Sequence, residues 1–461
     1  MQYRDDGDLC IADVALSAPP DLLSLAYRNP ERYPFLLESS AGAVMAQRGE
    51  GANHSRYDLL LAFPGKALEI GDRPFGSSFF DTLDAYAATE KRTAVPGLPF
   101  VGGWFIYLAY EMAARVEPTL DLPRASDAVL PEALAVRCPA AIIHDRQESR
   151  LHVICEANDR ERLELMLGDL DAASPTPDAR PLTADWQAPC TDGYLRNVAA
   201  ARELIHAGDV FQVNLSHAWH GYLANPVPPA GVYAALRAAN PAPFSGLIQW
   251  RAGALVCSSP ERLVQIEDGV AQTRPIAGTR ARTPGTDDDM TRELLAHPKE
   301  RAEHIMLIDL ERNDLGRICE PGSIQVDELM TSESYAHVHH IVSNVRGRLA
   351  PGVGPGRALA AVFPGGTITG CPKVRCMQII AELEQDGRGA YTGSIGYLSR
   401  CGRLDSNIVI RSLSQRKNTL TLRTGAGVVA DSVPDNELEE THVKARGVLR
   451  SFVNRQGNAY G

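Results

Sequence analysis

The sequence predicts an α/β fold of the α+β kind, built on large, mainly antiparallel sheets. Three observations carry this. Short apolar runs bounded by turn residues recur along the whole chain and read as strands. Helical patterns fall between them without the regular strand–helix–strand rhythm of a parallel sheet. And 461 residues with 44% hydrophobic and 22% charged content are enough to bury one large core or two smaller ones.

Taken in order, residues 1–171 form an N-terminal part in which strands such as Tyr57–Phe63 (YDLLLAF) and Leu151–Cys155 (LHVIC) alternate with turns and helices. Residues 172–192, AASPTPDARPLTADWQAPCTD, are rich in Pro, Ala and Asp and follow neither period, which predicts a linker or a long surface excursion. Residues 193–455 open on a helical pattern, Tyr194–His206, stopped by Gly208. Strands are then expected at Val210–Leu215, Leu247–Trp250, Ala254–Cys257, His339–Val345, Ile395–Leu398, Asn407–Leu413 and Thr419–Arg423, with helices at Asp287–Ile318 and Pro372–Leu383.

Composition narrows the function. A net charge of −11 argues against a nucleic-acid surface, since neutralising phosphates takes clustered Lys and Arg. An anionic substrate then needs a cation or a few placed basic residues. Nine scattered cysteines without a CxxC pair predict buried thiols. The N-terminus MQYRDDGDLC is acidic where a signal peptide is basic, and no apolar run reaches the roughly 20 residues that span a bilayer. A cytoplasmic protein with no membrane partner is the expectation. No GxGxxG or GxxxxGK[ST] loop is present, which argues against nucleotide chemistry.

Seven segments could carry chemistry. DNELEETHVK, Asp435–Lys444, places Glu437 and Glu440 at i, i+3 with Lys444 one turn on; the same spacing serves an ordinary solvated Glu–Lys pair. KERAEHIMLIDLERND, Lys299–Asp314, sets Glu303, His304 and Asp309 beside an apolar stripe of Ile305, Ile308 and Leu315. A surface helix with local Arg312 and Asp314 pairs would read alike. The glycine-rich TGAGVV (Thr424–Val429) and FPGGTITGCPK (Phe363–Lys373) permit close backbone approach or tight turns. Finally, SSPERLV and RPIAGTR read as Pro-marked turns that could face Glu261 and Thr279 into a cavity, and Arg411 inside the apolar NIVIRSL needs an anionic partner, either a ligand or a structural carboxylate.

In this order the segments resemble the chorismate-utilising enzymes, almost continuously from Tyr194 to Lys444, through VFQVNLS, SSPERLV, PIAGTR, AEHIMLIDLERNDLGR, FPGGTITGCPKVR, GSIGYLS, LDSNIVIRSL, GAGVVADS and ELEETHVK. The likeness extends more loosely over the N-terminal part through FLLES, RYDLLLAFPG and LPFVGGWFIYLAYE. What the resemblance implies is two antiparallel sheets packed as a sandwich, helices outside, with residues 193–455 as the chorismate-binding catalytic region. It implies magnesium held by Glu303 and Glu440, with Glu437 close by, and Glu261 as the acid that protonates the departing 4-hydroxyl. Thr279, Gly278, Tyr391, Arg411, Gly425, Gly427 and Lys444 are implied to hold the substrate, and His340 to be an active-site histidine. FLLESS resembles the family's tryptophan-pocket motif, with Glu38 and Ser39 in it; an ordinary strand end carries the same letters.

Within the family, water-using members resemble one another in a lysine base where this chain has Gln212, and an amide cannot deprotonate water. That points to ammonia as nucleophile. NPAPFSGLI, FPGGTITG, TGSIGYLS and RYDLLLAF resemble the aminodeoxychorismate branch, whereas PIAGT resembles the anthranilate branch because Ala277 stands where many aminodeoxychorismate members place a lysine. The expectation is the aminodeoxychorismate branch, with chorismate and ammonia as substrates. The sequence holds no nucleophile elbow for glutamine hydrolysis, so a separate glutaminase subunit is the implied partner.

Overall fold

The computed structural model describes residues 2–15, 21–41, 56–71, 78–156, 159–172, 176–281, 298–334 and 338–460. Alternating β-branched and aromatic residues pair into two sheets, as the apolar runs predict. Among the described residues the larger sheet has fourteen strands. It runs from Gln2–Asp6 and Leu9–Ala15 through Arg150–Glu156, Ala140–Asp145, Tyr57–Ala62 and Phe35–Glu38. It continues through Phe244–Trp250, Gly253–Ser259, Ser412–Arg416, Thr419–Val428, Gln212–Leu223 and Leu182–Gln187 to Phe452–Val453, with the short Gly370–Cys371 paired beside Gln212–Leu223 as the fourteenth. The smaller has ten strands, ordered Ile276–Ala281, Val338–Arg348, Val270–Thr273, Arg262–Glu267, Leu404–Ile408, Ser394–Ser399, Gly103–Leu108, Ala133–Cys138 and Ala67–Ile70, with Gln325–Ser334 on the other edge of Val338–Arg348. Among the described residues all pairings are antiparallel except Leu182–Gln187 with Phe452–Val453.

The sheets face each other across an apolar layer that draws Phe35, Leu61, Ile248 and Leu255 from one and Phe105, Val136 and Ile395 from the other. Phe35 and Phe105 stack at 4.0 Å between ring centroids, which fixes how the two sheets seat at this point. Helices cover the outer faces: Leu22–Arg28, Arg160–Asp171, Pro229–Ala239 and Pro434–Leu449 pack on the larger sheet. Phe79–Thr89, Pro298–Gly316 and Pro355–Val362 pack on the smaller. The α+β sandwich expected from the resemblance is the fold observed.

The pairings tie the two halves of the sequence together, since Phe35–Glu38 hydrogen-bonds to Phe244–Trp250. The segment expected to be a linker, residues 172–192, carries the strand Leu182–Gln187 in the larger sheet and the start of the helix Thr191–His206. This strand is next to the last in the sheet and buries only Ala184, so it carries little of the apolar signal by which strands are read. The expected helix Asp287–Ile318 is observed as Pro298–Gly316, its residues 287–297 lying outside those described. On that helix Ile308 and Leu315 are buried as expected, but Ile305 is half exposed, and His304 is the residue that turns inward, bonded to Ser343 Oγ at 2.6 Å. No helix is long and apolar enough to cross a membrane among the described residues.

Two expected elements change character. Asn407–Leu413 is not one strand: Leu404–Ile408 belongs to the smaller sheet and Ser412–Arg416 to the larger, and the chain crosses between them at 409–411 with Arg411 at φ +51°. TGAGVV is not a tight turn, because Gly425 and Gly427 lie inside the strand Thr419–Val428. Both departures shape the cleft.

Candidate active site

A second crossing between the sheets occurs at Pro260 and Glu261, between Gly253–Ser259 in the larger and Arg262–Glu267 in the smaller. The two crossings are bonded side by side. Ile408 N–H donates to Glu261 O at 3.0 Å, Ser258 N–H donates to Arg411 O at 3.3 Å, and the Ser259 hydroxyl donates to Ile408 O. A residue at such a crossing is released from the alternation of either sheet, so its side chain can turn into the space between them. Glu261 and Arg411 are thereby delivered together.

Glu261 is 6% exposed, and Thr367 Oγ1 donates to its Oε1 at 2.7 Å. Burial pushes its carboxyl up to about 7, against the opposing pull of the Thr367 hydroxyl, Arg411, Lys444 and the Ile276 N–H. At neutral pH the group is therefore poised between acid and carboxylate, the condition for a general acid. The Arg411 guanidinium is held below its ordinary value by burial and feels Glu261. It forms no ion pair among the described residues, and Glu261 is the carboxylate that acts on it.

The glycines of Thr419–Val428 form the opposite wall. Paired with Gln212–Leu223 in the register Asn214↔Gly427 and Ser216↔Gly425, they leave room that any side chain would close. A Cβ on Gly427 would lie 2.3 Å from Gln212 Nε2, and one on Gly425 would lie 2.7 Å from the Tyr391 hydroxyl and 3.0 Å from Asn214 Oδ1. Lys444 Nζ donates to Gly425 O at 2.8 Å and pairs with Glu440 at 2.7 Å. The i, i+4 spacing thus does form its ordinary ion pair, and the same lysine faces the cleft and adds to the field on Glu261. Tyr391 is pushed up to about 12, chiefly by burial. It stays a neutral hydrogen-bond donor.

The other expected residues are placed as follows. His340 is 2% exposed on Val338–Arg348, paired in register with Thr279 and with Glu333. The strand Ile276–Ala281 carries Ala277, Gly278 and Thr279 with an irregular register between Ala277 and Thr279; the side chains of Ala277 and Thr279 lie outside those described. Glu303 is half-buried on Pro298–Gly316, and Glu437 and Glu440 lie near enough to Tyr194 to act on its phenol. No group of three or more His, Cys, Asp and Glu side chains encloses a metal position among the described residues. Glu303 stands on Pro298–Gly316, and Glu440, paired with Lys444, stands on Pro434–Leu449.

Glu38 accepts hydrogen bonds from Tyr233 at 2.8 Å and Arg237 at 3.2 Å, so its carboxylate is engaged in the fold. With Ser39 it borders a separate cavity of about 470 Å³ that also meets Phe244, Tyr397 and Asn407.

Sequence reasoning missed three groups. Thr367, inside FPGGTITG, buttresses Glu261. Asp314, expected in a surface pair, is 1% exposed and bonded to Lys373, while Arg312 takes Asp309 at 2.8 Å. Glu311 is 7% exposed and pushed up to about 8 by burial and by Asp314. Asn214 was not singled out either, although it follows Gln212 by two in VFQVNLS and so shares its face.

Comparison with known proteins matches residues 48–450 to the model of the chorismate binding enzyme family. Over 362 residues the chain is 43% identical to an anthranilate synthase component I-like protein of Synechocystis sp., covering 77% of this chain and 73% of the relative. Over 388 residues it is 41% identical to aminodeoxychorismate synthase component 1 of Bacillus subtilis, covering 81% of each. Among solved structures, anthranilate synthase component I from Streptococcus pneumoniae superposes with a TM-score of 0.77 at 30% identity, over 88% of this chain and 96% of that one.

Proposed function

The chain belongs to the chorismate binding enzyme family, and on that premise we propose that it converts chorismate and ammonia to 4-amino-4-deoxychorismate. The observation that carries the chemistry is Glu261, a buried carboxyl pushed up to about 7 within the field of Arg411 and Lys444. Loss of the 4-hydroxyl needs a proton, and a neutral carboxylic acid among cations that bind a dianion supplies it. Tyr391, Gly425, Gly427, Arg411 and Lys444 hold the substrate carboxylates, with Gly278, Thr279 and His340 on the facing strands. Glu303 and Glu440 hold magnesium, with Glu437 close by. When bound, the ion adds the positive field that a chain of net charge −11 otherwise lacks.

Gln212 supports ammonia over water as nucleophile, because no base stands in its place. The nitrogen comes from a separate glutaminase subunit, consistent with relatives named as component 1. Ala277 closes the route in which a lysine at that position attacks C2. Lys373 is bonded to Asp314, and Lys444 to Gly425 and Glu440, so neither is free to replace it. Ammonia then adds at C2 as the 4-hydroxyl, protonated by Glu261, leaves as water with a shift of the ring double bonds; a second ammonia adds at C4, the double bonds shift back, and the C2 amine departs as ammonia. The cavity at Glu38 and Ser39, whose lining does not include Glu261, is read as a second ligand pocket.

Anthranilate formation is the second reading, favoured by Ala277 and by the Synechocystis relative. Incubating the purified chain with chorismate, magnesium and ammonium decides between them. Aminodeoxychorismate, identified by mass and by its conversion with a lyase, is the expected product; anthranilate as main product overturns the assignment. Trapping with chorismate in the absence of ammonia is expected to leave no mass increase on the chain, and an adduct would show that a lysine takes part.

A further inference from the structure

Two acceptors in the cleft wall lack donors. Asn214 is 7% exposed, and both Asn214 Oδ1 and Gln212 Oε1 are buried with no hydrogen-bond partner among the described residues. A buried amide oxygen left unpaired costs about 1–3 kcal/mol, so two of them on adjacent positions of one face call for a ligand that donates. The face is built to present them. Gln212 and Asn214 are two apart on one strand and project to the same side. Gly427 and Gly425 clear the space beside them, and the Tyr391 hydroxyl borders it.

The position is also held rigidly. Asn214 N–H donates to Thr369 O at 2.9 Å, and Arg388 donates to Asn214 O at 2.7 Å. Arg388 is itself fixed by the buried Glu384, which accepts from Ser216 N–H at 2.8 Å. The backbone under the two amides has no slack with which to turn them toward other partners.

We propose that Gln212 and Asn214 receive ammonia, each amide oxygen accepting one of its N–H hydrogens. The inference rests on the reading that ammonia is the nucleophile. Carboxylates of the substrate are acceptors and are repelled by amide oxygens, whereas ammonia has three hydrogens to give. Held by two of them, it keeps its lone pair directed away from the wall and into the cleft. Water fits the same two acceptors, but neither amide can take its proton, so only ammonia is a competent nucleophile there.

The test measures steady-state kinetics of the purified chain with ammonium chloride as nitrogen source, for the wild type, Gln212→Leu, Asn214→Leu and Asn214→Ser. Each variant is expected to raise the apparent KM for ammonium tenfold or more while the KM for chorismate stays within twofold. Asn214→Ser keeps a small polar group and supplies the result should the leucine variant lack a folding transition. Unchanged ammonium KM with a raised chorismate KM would mean that the amides bind substrate through their NH2 groups, and overturns the site alone. A wild type that turns chorismate over with water and gives no aminated product overturns both the site and the function it rests on.

Discussion

Replacing Glu261 by glutamine is expected to change stability and activity in opposite directions. A tenfold change in an ionisation constant is about 1.4 kcal/mol. Lifting the carboxyl from its ordinary 4.5 to about 7 therefore costs the folded, ionised form about 3 kcal/mol. The sign follows from linkage: the folded state holds this proton more tightly than the unfolded chain, so the wild type loses stability as pH rises from 4.5 through 7. Glutamine, of similar shape and always neutral, does not. In urea denaturation followed by circular dichroism, Glu261→Gln is expected to match the wild type near pH 4.5 and to exceed it by up to about 3 kcal/mol at pH 8. Turnover of chorismate at pH 7 should fall by roughly 10²- to 10⁴-fold, the usual contribution of a placed proton donor. A variant whose stability relative to the wild type is no greater at pH 8 than at pH 4.5 would refute the buried, raised carboxyl; one that turns over normally would refute its role as acid.

Glu303→Gln and Glu440→Gln are each expected to lower turnover sharply and raise the magnesium concentration needed for half-maximal rate, since an amide binds a hard dication far less well than a carboxylate; titration of activity against magnesium checks this, and normal activity at limiting metal refutes the ligand assignment. Asp314→Asn leaves the Lys373 ammonium buried beside a neutral amide, and urea unfolding should show a loss of about 3–5 kcal/mol. A loss under 1 kcal/mol would show that the pair is solvated. Gly425→Ala places a methyl 2.6 Å from Leu215 O, a backbone atom that cannot swing aside, so it should cost about 1–3 kcal/mol in thermal or urea unfolding and raise the chorismate KM.

Much of this was legible before the fold was known. The apolar runs marked the strands because alternation against a buried face is written residue by residue, and the motif order identified the family because each segment kept its residues at fixed offsets. Glu261, Arg411, Tyr391, Gly425, Gly427 and Lys444 were all named from the sequence, and the structure brings them into one cleft. Periodicity misled where it was asked about non-local matters. NIVIRSL looks like one strand because both of its ends are buried, yet its ends belong to different sheets. TGAGVV looks like a turn because glycine is rare inside strands, yet its glycines serve close approach.

The sequence by itself determined the residue types the chemistry needs and the local pattern of each element. Only the tertiary structure decided that Pro260–Glu261 and residues 409–411 cross between the sheets side by side, that Asp314 turns inward to Lys373, and that Asn214 and Gln212 are left with unpaired oxygens. These depend on which strands pair across hundreds of residues, and burial, which shifts the Glu261 carboxyl, exists only once those partners have closed around it.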